Sequence, residues 1–365
     1  MKRLVKYIVL VMCSGFVMAS CSQKHDTSNG TNEVVGLLAK AVESKKILFG
    51  QQDFAFYGVS WFGEEGRADV KDVCGDYPAI LGCDLGELEL GGDKNLDGVP
   101  FEMMHREIVA QHARGGLIAI SWHVRNPKTG GDSWDISDNQ TVKSVLEGGE
   151  NHEKFIGWLD MVADFISSLK AKDGKKIAVI FRPWHEHMGS WFWWGQNLCT
   201  AEEYQALWVM TISRLKEKGA DNIVVAYSPN LELDESSYMK RYPGDEWVDL
   251  LGLDTYHIGG EAASETFIKG LDFALNQMTE LGKKHNKLIA VTEIGSEAIP
   301  MPNWWTTVLF STIEKYPVCY VLLWRNAYDR ENHYYAPYPG HASVNDFMKF
   351  YELPRTIFVK DMAKL

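Results

Sequence analysis

Apolar runs of strand length, alternating with helical patterns, constrain the fold of this chain more than any other feature. They occupy residues 47–50, 78–83, 117–121, 177–181, 223–227, 248–254, 288–292 and 318–324. Runs that are apolar at successive positions, not alternate ones, belong to strands buried on both faces, and such strands sit in parallel sheets covered by helices. Between them, Phe155, Trp158, Leu159, Val162, Phe165, Ile166 and Leu169 keep the i, i+3, i+4, i+7 spacing of a helix face. Tyr204, Leu207, Trp208, Thr211, Ile212 and Leu215 do the same, behind Thr200 and Glu203 in capping-box spacing. This alternation predicts an α/β fold, a (β/α)8 barrel in one domain, ahead of a doubly wound open sheet. The barrel is preferred because so many runs end in polar or aromatic residues: Gln51 and Gln52, Asp84 and Glu87, Trp122 and His123, His185 and Glu186, Asn230, Asp254 and Tyr256, Glu293, Trp324 and Arg325. A closed barrel brings those tips to one mouth.

With 365 residues, 45% hydrophobic and 24% charged, the chain can bury a large core. Its formal charge of -12, with no long basic run, argues against nucleic acid or another polyanion as partner and suits a neutral substrate. Lys2, Arg3 and Lys6 precede an apolar stretch from Tyr7 to Met18, the pattern of an export signal over residues 1–20 and too short to span a bilayer. Met18, Ala19, Ser20, Cys21 resemble a bacterial lipoprotein signal, which would make Cys21 the lipidated mature N-terminus. Polar residues 21–33 then read as a flexible tether, and 34–365 as the barrel domain. The expected product is an exported monomer, anchored in the bacterial cell envelope only through that lipid, on its periplasmic or its outer face. Cys74, Cys83, Cys199 and Cys319 lack zinc-type spacing, and Cys83 and Cys319 fall inside strands as small core residues.

The chemistry is concentrated in RPWHEHMGSWFWWG, Arg182 to Gly195. Glu186 follows the fourth run, so its carboxyl is expected at the strand's tip among Trp184, Trp191, Phe192, Trp193 and Trp194. Indole faces suit the C–H faces of pyranose rings, and polar edges bond hydroxyls. A second carboxylate, Glu293, ends the seventh run in VTEIG. Cleavage of a glycosidic bond needs two carboxyls flanking it: one gives a proton to the leaving oxygen, the other stabilises or attacks the anomeric carbon. Glu186, its pKa lifted by aromatic burial and a neighbouring carboxylate, fits the acid/base; Glu293 fits the nucleophile.

With those motifs in place, the chain resembles β-mannanases of glycoside hydrolase family 26, from the GQQ at Gly50 to the WRN ending at Asn326. The resemblance puts the acid/base on Glu186 and the nucleophile on Glu293, and implies double displacement with net retention. It implies that His185 contacts the sugar or the nucleophile, that Tyr256 hydrogen-bonds the nucleophile, and that Trp324 forms the floor under the sugar. Trp191 would stack on the leaving-group side, while Trp122, His123 and Arg325 would hold the glycone side; a rim salt bridge is an equal reading for Arg325. The substrate implied is β-1,4-mannan, glucomannan or galactomannan, cut internally or released as mannobiose. β-1,3-Xylanase and β-glucanase activities occur in the same family. A non-catalytic glycan-binding lipoprotein is the rival from another class, and two placed glutamates argue against it.

Other motifs lead elsewhere. Asp93, Asn95, Asp97 and Gly98 open like a calcium loop, but Met104 stands where the bidentate Glu belongs, so a polar turn is expected. His185, Glu186 and His187 form H-E-H, not H-E-x-x-H, so no zinc site is expected; a strand through Glu186 would turn both histidines away from its carboxyl and leave His187 at the rim. No phosphate-loop or dinucleotide fingerprint is present, and no cofactor is expected.

Overall fold

The computed structural model describes residues 30–231 and 235–365. Eight parallel strands, β1 (Ile47–Gln52), β2 (Ile80–Asp84), β3 (Leu117–Ser121), β4 (Val179–Arg182), β5 (Ile223–Tyr227), β6 (Leu250–Tyr256), β7 (Leu288–Gly295) and β8 (Val318–Leu323), pair in chain order. β1 pairs with β8, from Leu48 opposite Tyr320 to Gln51 opposite Leu323, and so closes the barrel. A two-residue strand, Thr356–Ile357, adds to the base of β1. The expected strands are therefore all present, with ends shifted by a few residues.

Each strand feeds two cores, which explains its unbroken apolar run. One set of residues, including Leu48, Ile80, Ala119, Ile180, Val224, Ala226, Leu250, Ala290 and Leu322, fills the barrel; Val34, Leu38 and Ala41 of the helix Thr31–Glu43 plug its base. The alternate set, including Phe49, Leu81, Ile118, Phe181, Val225 and Val291, meets the surrounding helices. The helices predicted around Phe155 and Tyr204 are His152–Ser168 and Ala201–Glu217, and the Thr200–Glu203 capping box is formed. The expected export signal and the expected lipidation site, Cys21, lie outside the described residues. Of the stretch expected to be a tether, Thr31, Asn32 and Glu33 belong instead to the base helix, and residues 21–29 lie outside the described residues. Cys83 and Cys319 are buried in β2 and β8, and Cys74 and Cys199 are free thiols as well. No helix among the described residues is long and apolar enough to cross a membrane.

Two departures from regular strands shape the mouth. Pairing of β7 slips a residue against both neighbours: Leu253 faces Val291 but Asp254 faces Glu293, and Val321 faces Val291 but Leu323 faces Ile294. Such a bulge lets successive side chains point the same way. Thr292 and Glu293 accordingly both reach inward, to Asp254 and to Tyr256 respectively. Gly252 leaves room for this, since a Cβ there would lie 2.6 Å from both Oγ1 and Cγ2 of Thr292. The second departure follows β4, which stops at Arg182, four residues short of Glu186. Trp184 and Glu186 both have φ near 52°. Left-handed backbone costs a residue with a Cβ roughly 1–2 kcal/mol, so both need to be held in place.

Candidate active site

Arg182, the last residue of β4, points into the barrel and donates to Oε2 of Glu293 and, at 2.5 Å, to Oδ2 of Asp254. All three side chains are almost wholly buried. Asp254 also accepts hydrogen bonds from Ser228 Oγ at 2.8 Å and Thr292 Oγ1 at 2.7 Å. Burial lifts its pKa to about 7; Arg182 pulls the other way, while Glu293 adds to the rise. Arg182 is held charged despite its burial, by Asp254 and Glu293. Above this base, the Tyr256 hydroxyl donates to Oε1 of Glu293 at 2.5 Å. Burial, then Glu293, pushes that phenol's pKa well up, so it keeps the proton it donates.

Glu186 stands across the mouth. Its Oε2 accepts from Nε1 of Trp191 at 2.8 Å, and that indole is 42% exposed. Burial, followed by the charges of Glu293 and Asp254, raises the Glu186 carboxyl well above the usual range; the Trp191 bond opposes part of the rise. The two glutamates are thus close enough for one charge to act on the other, and they differ in surroundings. Glu293 is fixed by an arginine and a phenol, while burial and the neighbouring carboxylates shift Glu186 toward keeping its proton.

A third group comes from β2 and β3. His123 Nδ1 meets Oδ2 of Asp84 at 2.6 Å, and Asp84 also accepts from Ser121 Oγ at 2.6 Å and Gly86 N at 2.7 Å. Although burial works against it, the His123 interaction brings Asp84 down to about 2. His123 is correspondingly raised against its own burial by Asp84. Its Nε2 faces Nε2 of His185 at 3.1 Å, and burial with Arg182 nearby keeps His185 neutral. A doubly protonated His123 satisfies this chain by donating to Asp84 and to His185 together. The face of His123 lies against Trp134, 5.3 Å away and 17° from parallel, and its edge meets Trp324. Trp134 is 47% exposed.

Carboxylates of unequal environment, exposed indoles and a ring of buried polar groups at the C-terminal mouth of a (β/α)8 barrel suit acid/base work on a neutral, ring-shaped substrate. The sequence profile described as glycosyl hydrolase family 26 matches residues 24–345. The chain belongs to this family. It is 34% identical over 278 residues to a mannan endo-1,4-beta-mannosidase of Bifidobacterium adolescentis, a match that takes in 73% of this chain and spans 27% of that protein. A mannan endo-1,4-beta-mannosidase of Bacillus subtilis strain 168 is 26% identical over 346 residues, 89% of each chain. Among solved structures, the GH26 beta-mannanase BoMan26A of Bacteroides ovatus superposes with a TM-score of 0.89 at 52% identity, covering 92% of this chain and 96% of its own.

The family 26 barrel brings Glu186, Glu293, His123, His185, Trp191, Tyr256, Trp324 and Arg325 to one mouth, but not all in the roles expected. Trp122 is not part of it. At the end of β3, Ser121 and the following His123 face inward, so Trp122 between them faces outward; it is fully buried against Phe155 and Trp184, its Nε1 donating to Glu89 at 3.0 Å. His185 bonds His123 and makes no bond to Glu293. Arg325 takes the salt-bridge reading, pairing with Asp97 at 3.0 Å and donating to Tyr57 at 3.3 Å. His187 is not at the rim: it is fully buried between Tyr204 and Tyr227. The calcium-like stretch is a polar turn in which Asn95 Oδ1 accepts from the backbone N–H groups of Asp97 and Val99. Three contributors had no site role in the sequence reading. Arg182 and Asp254 were visible as charged residues closing apolar runs. Trp134 stood only in a polar loop, which gives no direction.

Proposed function

We propose that this protein hydrolyses β-1,4-mannosidic linkages in mannan, glucomannan or galactomannan by double displacement. Glu186 protonates the leaving oxygen while Glu293 attacks the anomeric carbon; Glu186 then takes a proton from water as that water's oxygen bonds to the same carbon and displaces the Glu293 carboxylate, which releases the sugar with its configuration retained. The observation that carries this reading is the contrast between the two carboxyls at one mouth, with Glu293 gripped by Arg182 and Tyr256 and Glu186 raised well above its usual range. Trp191 stacks on the leaving-group side, and His123, Trp134 and Trp324 face the other. The names of the Bifidobacterium, Bacillus and Bacteroides relatives point to mannan as the substrate class.

The test is a time course of product lengths on mannan, glucomannan and mixed-linkage glucan, run beside Glu293→Ala. Products from the first two, abolished in the variant, support the proposal; undiminished turnover by the variant refutes it. An early spread of oligomers marks internal cleavage, and immediate mannobiose marks release from a chain end. We also propose export as a monomer anchored through lipid on Cys21. Radiolabelled palmitate incorporated by the native chain and absent from Cys21→Ser supports that anchor, and equal labelling of both excludes it.

A further inference from the structure

The Glu186 carboxyl is aimed by backbone that its own residues disfavour, so something outside the segment must impose the conformation. Trp184 and Glu186, neither of them glycine, both take left-handed φ near 52°, with His185 between them. The segment's backbone groups show what holds it. The carbonyl of Trp184 accepts from the Tyr204 hydroxyl at 2.8 Å, and that of His185 from Nε1 of Trp194 at 2.8 Å. The N–H of Glu186 donates to the carbonyl of Ser228 at 2.9 Å, and its carbonyl accepts from Gly189 N at 3.0 Å.

Of these, the Tyr204 bond is the one supplied by a distant element through a side chain that does not touch the mouth. Tyr204 lies in the first turn of the helix Ala201–Glu217, whose start is fixed by the Thr200–Glu203 capping box. Its ring is fully buried, with His187 4.5 Å away on one side and the Arg241 guanidinium 5.4 Å from the ring centroid. The hydroxyl therefore arrives at Trp184 from a rigid platform. A buried carbonyl that loses such a donor gains reason to rotate, and rotation at Trp184 carries Glu186 with it.

We propose that Tyr204 is a positioning residue for Glu186, acting through the Trp184 carbonyl to set the angle at which the acid meets the leaving oxygen. The proposal rests on the assignment of Glu186 as the acid. Tyr204→Phe keeps the ring and removes one hydrogen bond, and the full chain is assayed by kcat/KM on two substrates. Mannotetraose needs protonation of its leaving group; 2,4-dinitrophenyl β-mannobioside does not, and kcat/KM reports the first chemical step. A small misplacement of an acid costs about ten- to hundred-fold where proton transfer matters. The expected result is a loss of at least ten-fold on mannotetraose with less than two-fold on the aryl substrate. Equal losses on both, or a variant that fails to fold, would overturn the proposal by assigning the hydroxyl to the fold at large, and no loss on either would overturn it by showing that the bond does not aim Glu186. Glu186→Ala run alongside separates the two layers: if it also loses equally on both substrates, the assignment of Glu186 as the acid fails, not merely the role of Tyr204.

Discussion

Replacing Arg182 with Met should expose how much the buried base of the site depends on one positive charge. Arg182 faces two carboxylates, Asp254 and Glu293, and all three side chains are at most 6% exposed. With about 4 Å between charge centres and an effective dielectric near 20, each attraction is worth about 4 kcal/mol before desolvation is counted. Desolvation of the arginine offsets much of this in the native protein, but removing one partner leaves the remaining carboxylates uncompensated, which costs about 3–5 kcal/mol. For a domain of this size that is a fall in Tm of roughly 4–7 °C at pH 7. The pH dependence makes the test specific. The folded-state pKa of Asp254, about 7, is already above its ordinary 3.8. The fold therefore binds that proton more tightly than the unfolded chain does, a contribution fully present below the ordinary value and lost as pH rises through 7. Without Arg182 the carboxyl rises further, so the variant should regain stability on going from pH 8 to pH 6 more steeply than the native protein. Calorimetric melts across that interval are the assay. A variant that melts within 2 °C of the native protein at pH 7, or with the same pH slope, would refute the argument.

Other substitutions probe single contacts. Tyr256→Phe removes the hydroxyl that orients Glu293; a hydrogen bond to a charged group is worth about 1.5–3 kcal/mol, so kcat should fall by about ten- to hundred-fold with KM little changed in steady-state kinetics. Trp191→Phe deletes a donor that favours ionised Glu186, so the alkaline limb of the kcat/KM–pH profile should move to higher pH; movement to lower pH would contradict the geometry. Trp122→Ala should cost about 3–5 kcal/mol in denaturant melts through the cavity it leaves, while KM of the folded protein stays within about two-fold, because the indole faces the helix layer.

Sequence periodicity was enough for the barrel because each strand is buried on both sides, so apolar residues run without a break through 47–50 or 223–227. Alternation carried on past the end of β3 also held the answer for Trp122: polar Ser121 and His123 flank it, and inward polar positions force the residue between them outward. Pro183 marks where β4 stops, but the left-handed turns after it and the slip in β7 fall on residues whose type does not announce them. The chain abandons β4 at Arg182 and twists twice through left-handed residues, so an argument from strand alternation misplaced His187. The bulge that turns Thr292 and Glu293 to the same side of β7 is likewise written in pairing register, not in residue type. Glu293 was found because its residue type at a strand end suggested it, while its grip by Arg182 needed the barrel to close.

The most direct measurement is to trap the reaction at its midpoint with 2-deoxy-2-fluoro-mannobiosyl fluoride and locate the added mass by peptide mapping. Double displacement through the assigned residues predicts one mannobiosyl adduct, on the peptide carrying Glu293 and absent from Glu293→Ala. A label on any other carboxylate, or first-formed product of inverted configuration by proton NMR with no adduct at all, would contradict it.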